Sequence, residues 1–263
     1  MKMKDVIKLF LLLSLCAAVS SCGIMSAMSA QSLASAAGNV VVAASITDDQ
    51  IAQLSKESVA YMDKQNKIDD GKYDKRLKTL MNGVTVEGLD LNFKVYETSE
   101  VNAFACGDGS IRVYSGLMDV MDDDELVAII GHEIGHVVHK DTKAAMKSAY
   151  LAAAARDVVS ASPGVIGTLS RSVAGDITQT FLNSQFSQKQ EYAADEYGYE
   201  FAIRCGRDPY SMAKALEELV SLSGNASTSS AVAKMFSSHP DSAKRAEKVR
   251  AMADEYVKSQ NNK

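Results

Sequence analysis

An α+β fold, mostly helical, is what this sequence predicts, and three features carry the prediction. Strand-like alternation is confined to residues 89–114. The chain on either side repeats its apolar residues at helical spacing, and the helix after the strands carries three of the four histidines close together. With 263 residues, 46% of them apolar, the chain can bury a sizeable core. Its net charge of −5 leaves no basic excess for phosphate contacts, which argues against a nucleic-acid partner.

The amino terminus reads as an address. Lys2, Lys4 and Lys8 precede an apolar run from Leu9 to Val19, the layout of a secretory signal over residues 1–21. That run is too short to span a bilayer comfortably. Val19-Ser20-Ser21-Cys22 resembles a bacterial lipobox, so Cys22 is the expected lipidation site and a membrane the expected partner through that anchor. The location this implies is the bacterial cell envelope, with the lipid in the outer membrane facing the periplasm. Residues 22–46 are rich in Ala and Ser and uncharged, which suits a tether to a working domain over 47–263.

Thr47 and Gln50 stand at capping-box spacing and open a helix through about Gln65. A second helix runs from about Lys72 to Met81 and stops near Asn82-Gly83. Leu89, Leu91, Phe93 and Val95 alternate with more polar neighbours as a half-buried strand ending at Tyr96. Two short strands, Ala103–Ala105 and Ile111–Tyr114, flank a Gly107-Asp108-Gly109 turn. Asp122 to Glu125 suit the positive end of a helix dipole, behind which Leu126, Ile129, Ile130, Ile134, Val137 and Val138 form an apolar face. Past Asp141 the pattern is helical, except for Ser160–Ser172, a Ser/Gly/Pro loop placed to cover a cleft. Two helices near Tyr210–Ser223 and Asp241–Lys258 close the chain.

The chemistry centres on His132-Glu133-Ile134-Gly135-His136. Residues four apart share a helix face, so both imidazoles can reach one ion, and Glu133 can take a proton from water held there. Without a metal, two imidazoles and a carboxylate on a buried apolar helix would need other partners. One zinc ion per chain is therefore expected. A third ligand has to come from farther on. No Glu stands between His136 and Glu191, which opens Glu191-Tyr192-Ala193-Ala194-Asp195 on a helix. Glu191 is the favoured ligand over Asp141, Asp157 and Asp176, and Asp195, one turn on, suits the outer N–H of a ligand imidazole. Ala193, Ala194 and Gly198 are small enough to let this helix pack close to the first. In an exported chain Cys106 and Cys205 predict either a disulfide or two separate buried thiols.

These motifs resemble the M48 (Ste24/HtpX-type) family of zinc metallopeptidases, and in particular its small lipid-anchored bacterial members. The likeness runs over about residues 90 to 250. It is carried by Asn102-Ala103-Phe104 with Gly109, Ile111, Val113 and Gly116-Leu117; by His132–His136; by Glu191–Asp195 with Gly198; and by His239-Pro240 with Arg245. The resemblance implies a zincin-like domain with a small sheet beside the metal site, His132, His136 and Glu191 as zinc ligands, and Glu133 as general base. It further implies that an extended peptide lies on Asn102, Ala103 and Phe104. His239 and Arg245 would approach the substrate carbonyl and stabilise its developing charge, or His239 would cover the metal at rest. The chain departs from the family pattern at Gln188, Asp141 and Gly107-Asp108, which stand where Arg, His and Pro-Gly are common. The expected function is a zinc endopeptidase acting on exposed or misfolded polypeptides of the envelope, in quality control. Rival classes are a chaperone-like assembly factor with a secondary zinc site, and a structural zinc lipoprotein with His239 as fourth ligand.

Overall fold

The computed structural model describes residues 46–155, 171–225, 228–240 and 242–262. The expected signal segment, the lipidation site Cys22, nearly all of the tether and most of the expected 160–172 loop lie outside the described residues. Helix α1 (Asp48–Gln65) opens on the expected capping box: Thr47 Oγ1 accepts from the Gln50 N–H at 3.3 Å, and Gln50 Oε1 accepts from the Thr47 N–H at 2.9 Å. Helix α2 (Lys72–Leu80) and strand β1 (Asn92–Tyr96) follow. The strand begins later than its alternation suggests, because the Leu89 N–H turns back onto the Val86 carbonyl at 3.1 Å. Strands β2 (Ala103–Ala105) and β3 (Ser110–Tyr114) complete a sheet of order β1-β3-β2, with β1 parallel and β2 antiparallel to β3.

A short helix α3 (Ser115–Val120), not anticipated from the sequence, leads into α4 (Asp123–Val138). Asp122 caps α4, its Oδ1 accepting from the Asp124 and Glu125 N–H groups at 2.9 and 2.8 Å. Then come α5 (Asp141–Ala155), α6 (Arg171–Leu182), α7 (Gln188–Arg204), α8 (Ser211–Gly224), α9 (Ser229–Ser238) and α10 (Ser242–Asn261). Arg171 and Ser172 thus belong to a helix and not to the loop expected there. No helix of the described residues is long and apolar enough to cross a membrane.

The sheet separates two apolar clusters through its alternation. Val95, Ala103, Ala105, Ile111 and Val113 face α4 and join the larger cluster, which also takes in α8 and α10. Tyr96, Phe104 and Tyr114 face the other way, onto α1, α5 and α6. Their rings meet at centroid distances of 5.7–6.3 Å. Cys106 lies in that second cluster while Cys205 packs against the first, so both thiols are free and the disulfide alternative is corrected to two separate thiols.

α4 and α7 touch nearly backbone to backbone. A Cβ on Gly198 would lie 2.8 Å from both the Ala128 carbonyl oxygen and the His132 nitrogen, and one on Gly131 would lie 2.8 Å from the Phe201 Cβ. Only glycine permits this approach.

On the opposite face of the sheet, Asp63 of α1 receives Arg112 Nε at 2.8 Å, Tyr96 Oη at 2.7 Å and Lys94 Nζ at 2.7 Å. Arg112 is 1% exposed and also donates to the Asn92 and Ile111 carbonyls. Burial works to raise the Asp63 pKa, but Arg112, Lys94 and Tyr96 together outweigh it and hold the carboxyl below its usual range. Because the folded value is depressed, the stabilisation is complete above the unfolded value and disappears as pH falls through the folded one. Asp63→Asn should cost about 3 kcal/mol in urea unfolding at pH 7. The gap from the wild type should narrow below about pH 4; a gap that stays constant to pH 2 would contradict the assignment.

Candidate metal centre

His132 projects from the middle of α4 and His136 from its last turn, Glu191 from the first turn of α7, and His239 from the residue that caps the end of α9. All four are buried, and one donor atom of each lies within 4.8 Å of all the others. The start of α7 is fixed by a second capping box, in which Ser187 Oγ accepts from the Gln190 N–H at 3.4 Å and Gln190 Oε1 from the Ser187 N–H at 2.9 Å.

The spacing of the donors suits a small tetrahedral cation. Nitrogen ligands at zinc's usual ~2.0–2.1 Å stand about 3.3 Å apart at the corners of a tetrahedron. Here His132 Nε2 and His136 Nε2 are 3.2 Å apart, His136 Nε2 and Glu191 Oε1 3.4 Å, and His132 Nε2 and His239 Nδ1 3.3 Å. The outer nitrogens explain why the inner ones point together. His136 Nδ1 lies 3.0 Å from Asp141 Oδ2, and His132 Nδ1 lies 3.0 Å from Asp195 Oδ1 without hydrogen-bond alignment. With the protons on the outer side, the inner nitrogens turn lone pairs toward each other and toward a carboxylate, an arrangement that a cation stabilises. His239 Nδ1 lies 3.0 Å from Glu191 Oε1: as an N–H it donates to that oxygen, and as a lone pair it fills a fourth corner.

Burial would push the Glu191 and Asp195 pKa values up, yet both lie below the ordinary range. His239 and His136 outweigh burial at Glu191, and Arg245 and His132 do so at Asp195. Burial likewise works to lower the His136 pKa, but Asp141 and Glu191 push it up to about 9. His132 goes down, chiefly through burial.

Arg245 corrects one expectation. It is 1% exposed and forks onto Asp195, with Nε to Oδ2 at 2.7 Å and Nη2 to Oδ1 at 2.6 Å, while Nη1 pairs with Glu191. It therefore sits behind the donor cluster and away from the cleft, because two buried carboxylates need its charge. His239 lies against the donors with its Nε2 3.7 Å from Glu133 Oε1, the covering arrangement of the two considered. Asn102, Ala103 and Phe104 are buried at the free edge of the sheet and line a small cavity with Glu133 and His239. His139, without a role in the sequence, is an exposed residue at the end of α4 whose ring stands 6.1 Å from that of Tyr197.

Sequence reasoning set Asp141 aside as a rival ligand. The structure instead uses it to brace His136, with Gln190 Nε2 donating to its other oxygen at 2.7 Å. The signal was there: Asp141 follows His136 by five residues, just after Lys140 takes a left-handed φ of 65° that turns the chain back. Phe186, also unmarked in the sequence, stacks on His136 at 3.9 Å.

A helix with two facing imidazoles and an adjacent carboxylate, an acidic partner from a second helix, and a sheet edge alongside make this a metallopeptidase of zincin-like build. Residues 68–253 match the pattern of peptidase family M48, and the chain belongs to that family. It is 38% identical over 216 residues to the metalloprotease YcaL of Escherichia coli (strain K12), covering 81% of this chain and 83% of that protein. It is 39% identical over 227 residues to the metalloprotease LoiP of the same organism, covering 85% and 88%. A protease HtpX homolog of Pyrococcus abyssi (strain GE5 / Orsay) is 30% identical over 195 residues, covering 60% and 66%. The chain is accordingly a metalloprotease, and its substrates are polypeptides.

Asp141→Asn removes the charge that braces His136 while keeping its size. Metal affinity, measured by competition with a chelator, should fall about 10- to 100-fold, whereas unchanged affinity would deny Asp141 this part.

Proposed function

We propose that this chain is a zinc-dependent endopeptidase, held in the bacterial envelope by a lipid on Cys22, which cuts exposed or misfolded polypeptides there. The observation that carries the catalytic reading is Glu133: it is 2% exposed, its Oε1 has no hydrogen-bond partner, and it lines the same cavity as the free edge of β2. An unpaired buried carboxylate oxygen is costly unless a proton or a cation comes to it.

His132, His136 and Glu191 would hold zinc, which when bound lends Lewis acidity to the attacking water and to the scissile carbonyl. Glu133 accepts the water's proton and delivers it to the leaving amine. His239, whose Nδ1 stands 3.3 Å from His132 Nε2, would cover the metal and would have to move aside for a peptide to enter. Asp195 and Asp141 keep the two imidazoles turned inward, and Arg245 balances Asp195 and Glu191 from behind. A peptide laid along β2 would be held through its backbone, which asks little of its sequence and suits unfolded chains as substrates. The envelope reading is supported by the basic and apolar residues before Cys22 and the small residues beside it.

Glu133→Gln should lower cleavage of an unfolded protein by about 10³-fold while zinc stays bound; activity near the wild-type level in that variant would sink the mechanism. Cys22→Ala should move the protein from the membrane fraction to the soluble one, and undiminished membrane retention would remove the lipid anchor from the proposal.

A further inference from the structure

We propose that Gln190 is a positioning residue that sets two of the metal's ligands at once: its single amide fixes both the turn that carries Glu191 and the carboxylate that orients His136. The inference rests on the zinc reading above and concerns ligands that come from different helices. At one end of the amide, Oε1 accepts from the Ser187 N–H at 2.9 Å and from the Ser187 hydroxyl at 2.8 Å, which closes the first turn of α7 just ahead of Glu191. At the other end, Nε2 donates to Asp141 Oδ1 at 2.7 Å, and Asp141 Oδ2 stands 3.0 Å from His136 Nδ1.

Helix capping alone does not ask for an amide at this position. A capping box is closed by Glu as well as by Gln, and this chain uses Glu125 for the box that opens α4. Only an amide offers an acceptor at one end and a donor at the other. A glutamate at 190 would keep the bond to Ser187 but would set a second carboxylate against Asp141. The donor matters because a carboxylate has two equivalent oxygens and can turn about its last bond. With Oδ1 held by α7, Oδ2 is left directed at His136. Asp141 is the first residue of α5, so the same bond also ties the starts of α5 and α7 together.

Asp141 and Gln190 line a cavity of 320 Å³ with the small residues Ala144, Ala145 and Ser148, which leaves room for water beside them. A water in place of the lost donor would satisfy Oδ1, but it would not anchor the carboxylate to α7. Loss of the amide should therefore loosen the ligands' alignment without abolishing the site. Phe186, next to the capping serine, adds to the same grip. Its ring stacks on His136 at 3.9 Å and its N–H donates to the Ser238 carbonyl at 3.2 Å.

The test makes one exchange in two backgrounds of the full chain, read by zinc affinity in competition with a chelator and by thermal unfolding of the metal-free protein. Gln190→Glu in the wild type should lower zinc affinity about tenfold. In the Asp141→Asn background the same exchange should raise it about tenfold, because the new amide at 141 then donates to the new carboxylate at 190 while its oxygen still accepts from His136. The metal-free double variant should also unfold at a higher temperature than Asp141→Asn alone. A role in capping alone predicts no change in either background, and a general effect of added charge predicts tighter zinc in both. Either result would overturn the positioning role. If Gln190→Glu does not fold by itself, the thermal recovery of the double variant decides, and its absence overturns the role. Wild type that takes up no zinc would sink the zinc reading and this inference together, whereas wild type that binds zinc with no reversal of sign overturns the part of Gln190 alone.

Discussion

The near-contact of α4 and α7 is the constraint on which the centre depends. A glutamate on a second helix reaches two histidines on the first only if the helices approach more closely than side chains on both sides usually allow. Gly131 and Gly198 make room for it, and beside them Gly135 would set a Cβ 3.0 Å from that of Tyr197. Glycines within helices are unfavourable by propensity and bury no side chain. The opposite face of α4 offsets this, since Ile129, Ile130 and Ile134 are at most 1% exposed in the larger apolar cluster.

The same closeness creates an electrostatic problem that a metal solves. Glu133, Asp141, Glu191 and Asp195 are all buried around the donors, and Arg245 is the one buried guanidinium among them in the described residues. Such an excess of negative charge at low dielectric draws in cations or protons. The raised pKa of His136 is that demand expressed through a proton. A dication answers it without titrating the ligands that hold it, and the donor set of imidazole and carboxylate is one zinc accepts.

Local signals in the sequence located the helix ends and three members of the buried donor cluster well. Thr47 with Gln50 found both bonds of its box, α1 ended at Gln65, and Glu191 met His132 and His136 as its isolation from other glutamates implied. The order of the strands was not legible, because the parallel pairing of β1 with β3 is decided by what covers each face and not by alternation within a strand. α3 and the full length of α9 were missed for a related reason: Ser115, Ser229 and Ser230 weaken local helix propensity, and burial of Leu117, Val232 and Met235 overrides it. Arg245, expected at the substrate carbonyl, faces Asp195 and Glu191 instead. Long-range charge pairing leaves no local periodicity, so the bracing of the donors could be named only where one ligand's outer nitrogen demanded it.

The division of the sheet into two faces also decides which apolar cluster each part of the site rests on. The donors and their braces belong chiefly to α4, α7 and α10, on the side of the larger cluster, whereas Phe104, Phe181 and Leu182 belong to the smaller one. β2, with Ala103 and Ala105 on one face and Phe104 on the other, meets Glu133 and His239 in the small cavity beside the donors. Phe186 stacks on His136 at 3.9 Å, so the apolar side of the cleft and the donors are coupled there. α1 sharpens the point. It ends at Gln65, before the family match begins at residue 68, and its Asp63 is bonded to Arg112, Lys94 and Tyr96 on the cleft's supporting face. The segment that lies outside the matched span therefore braces the sheet face that carries Tyr96 and Arg112.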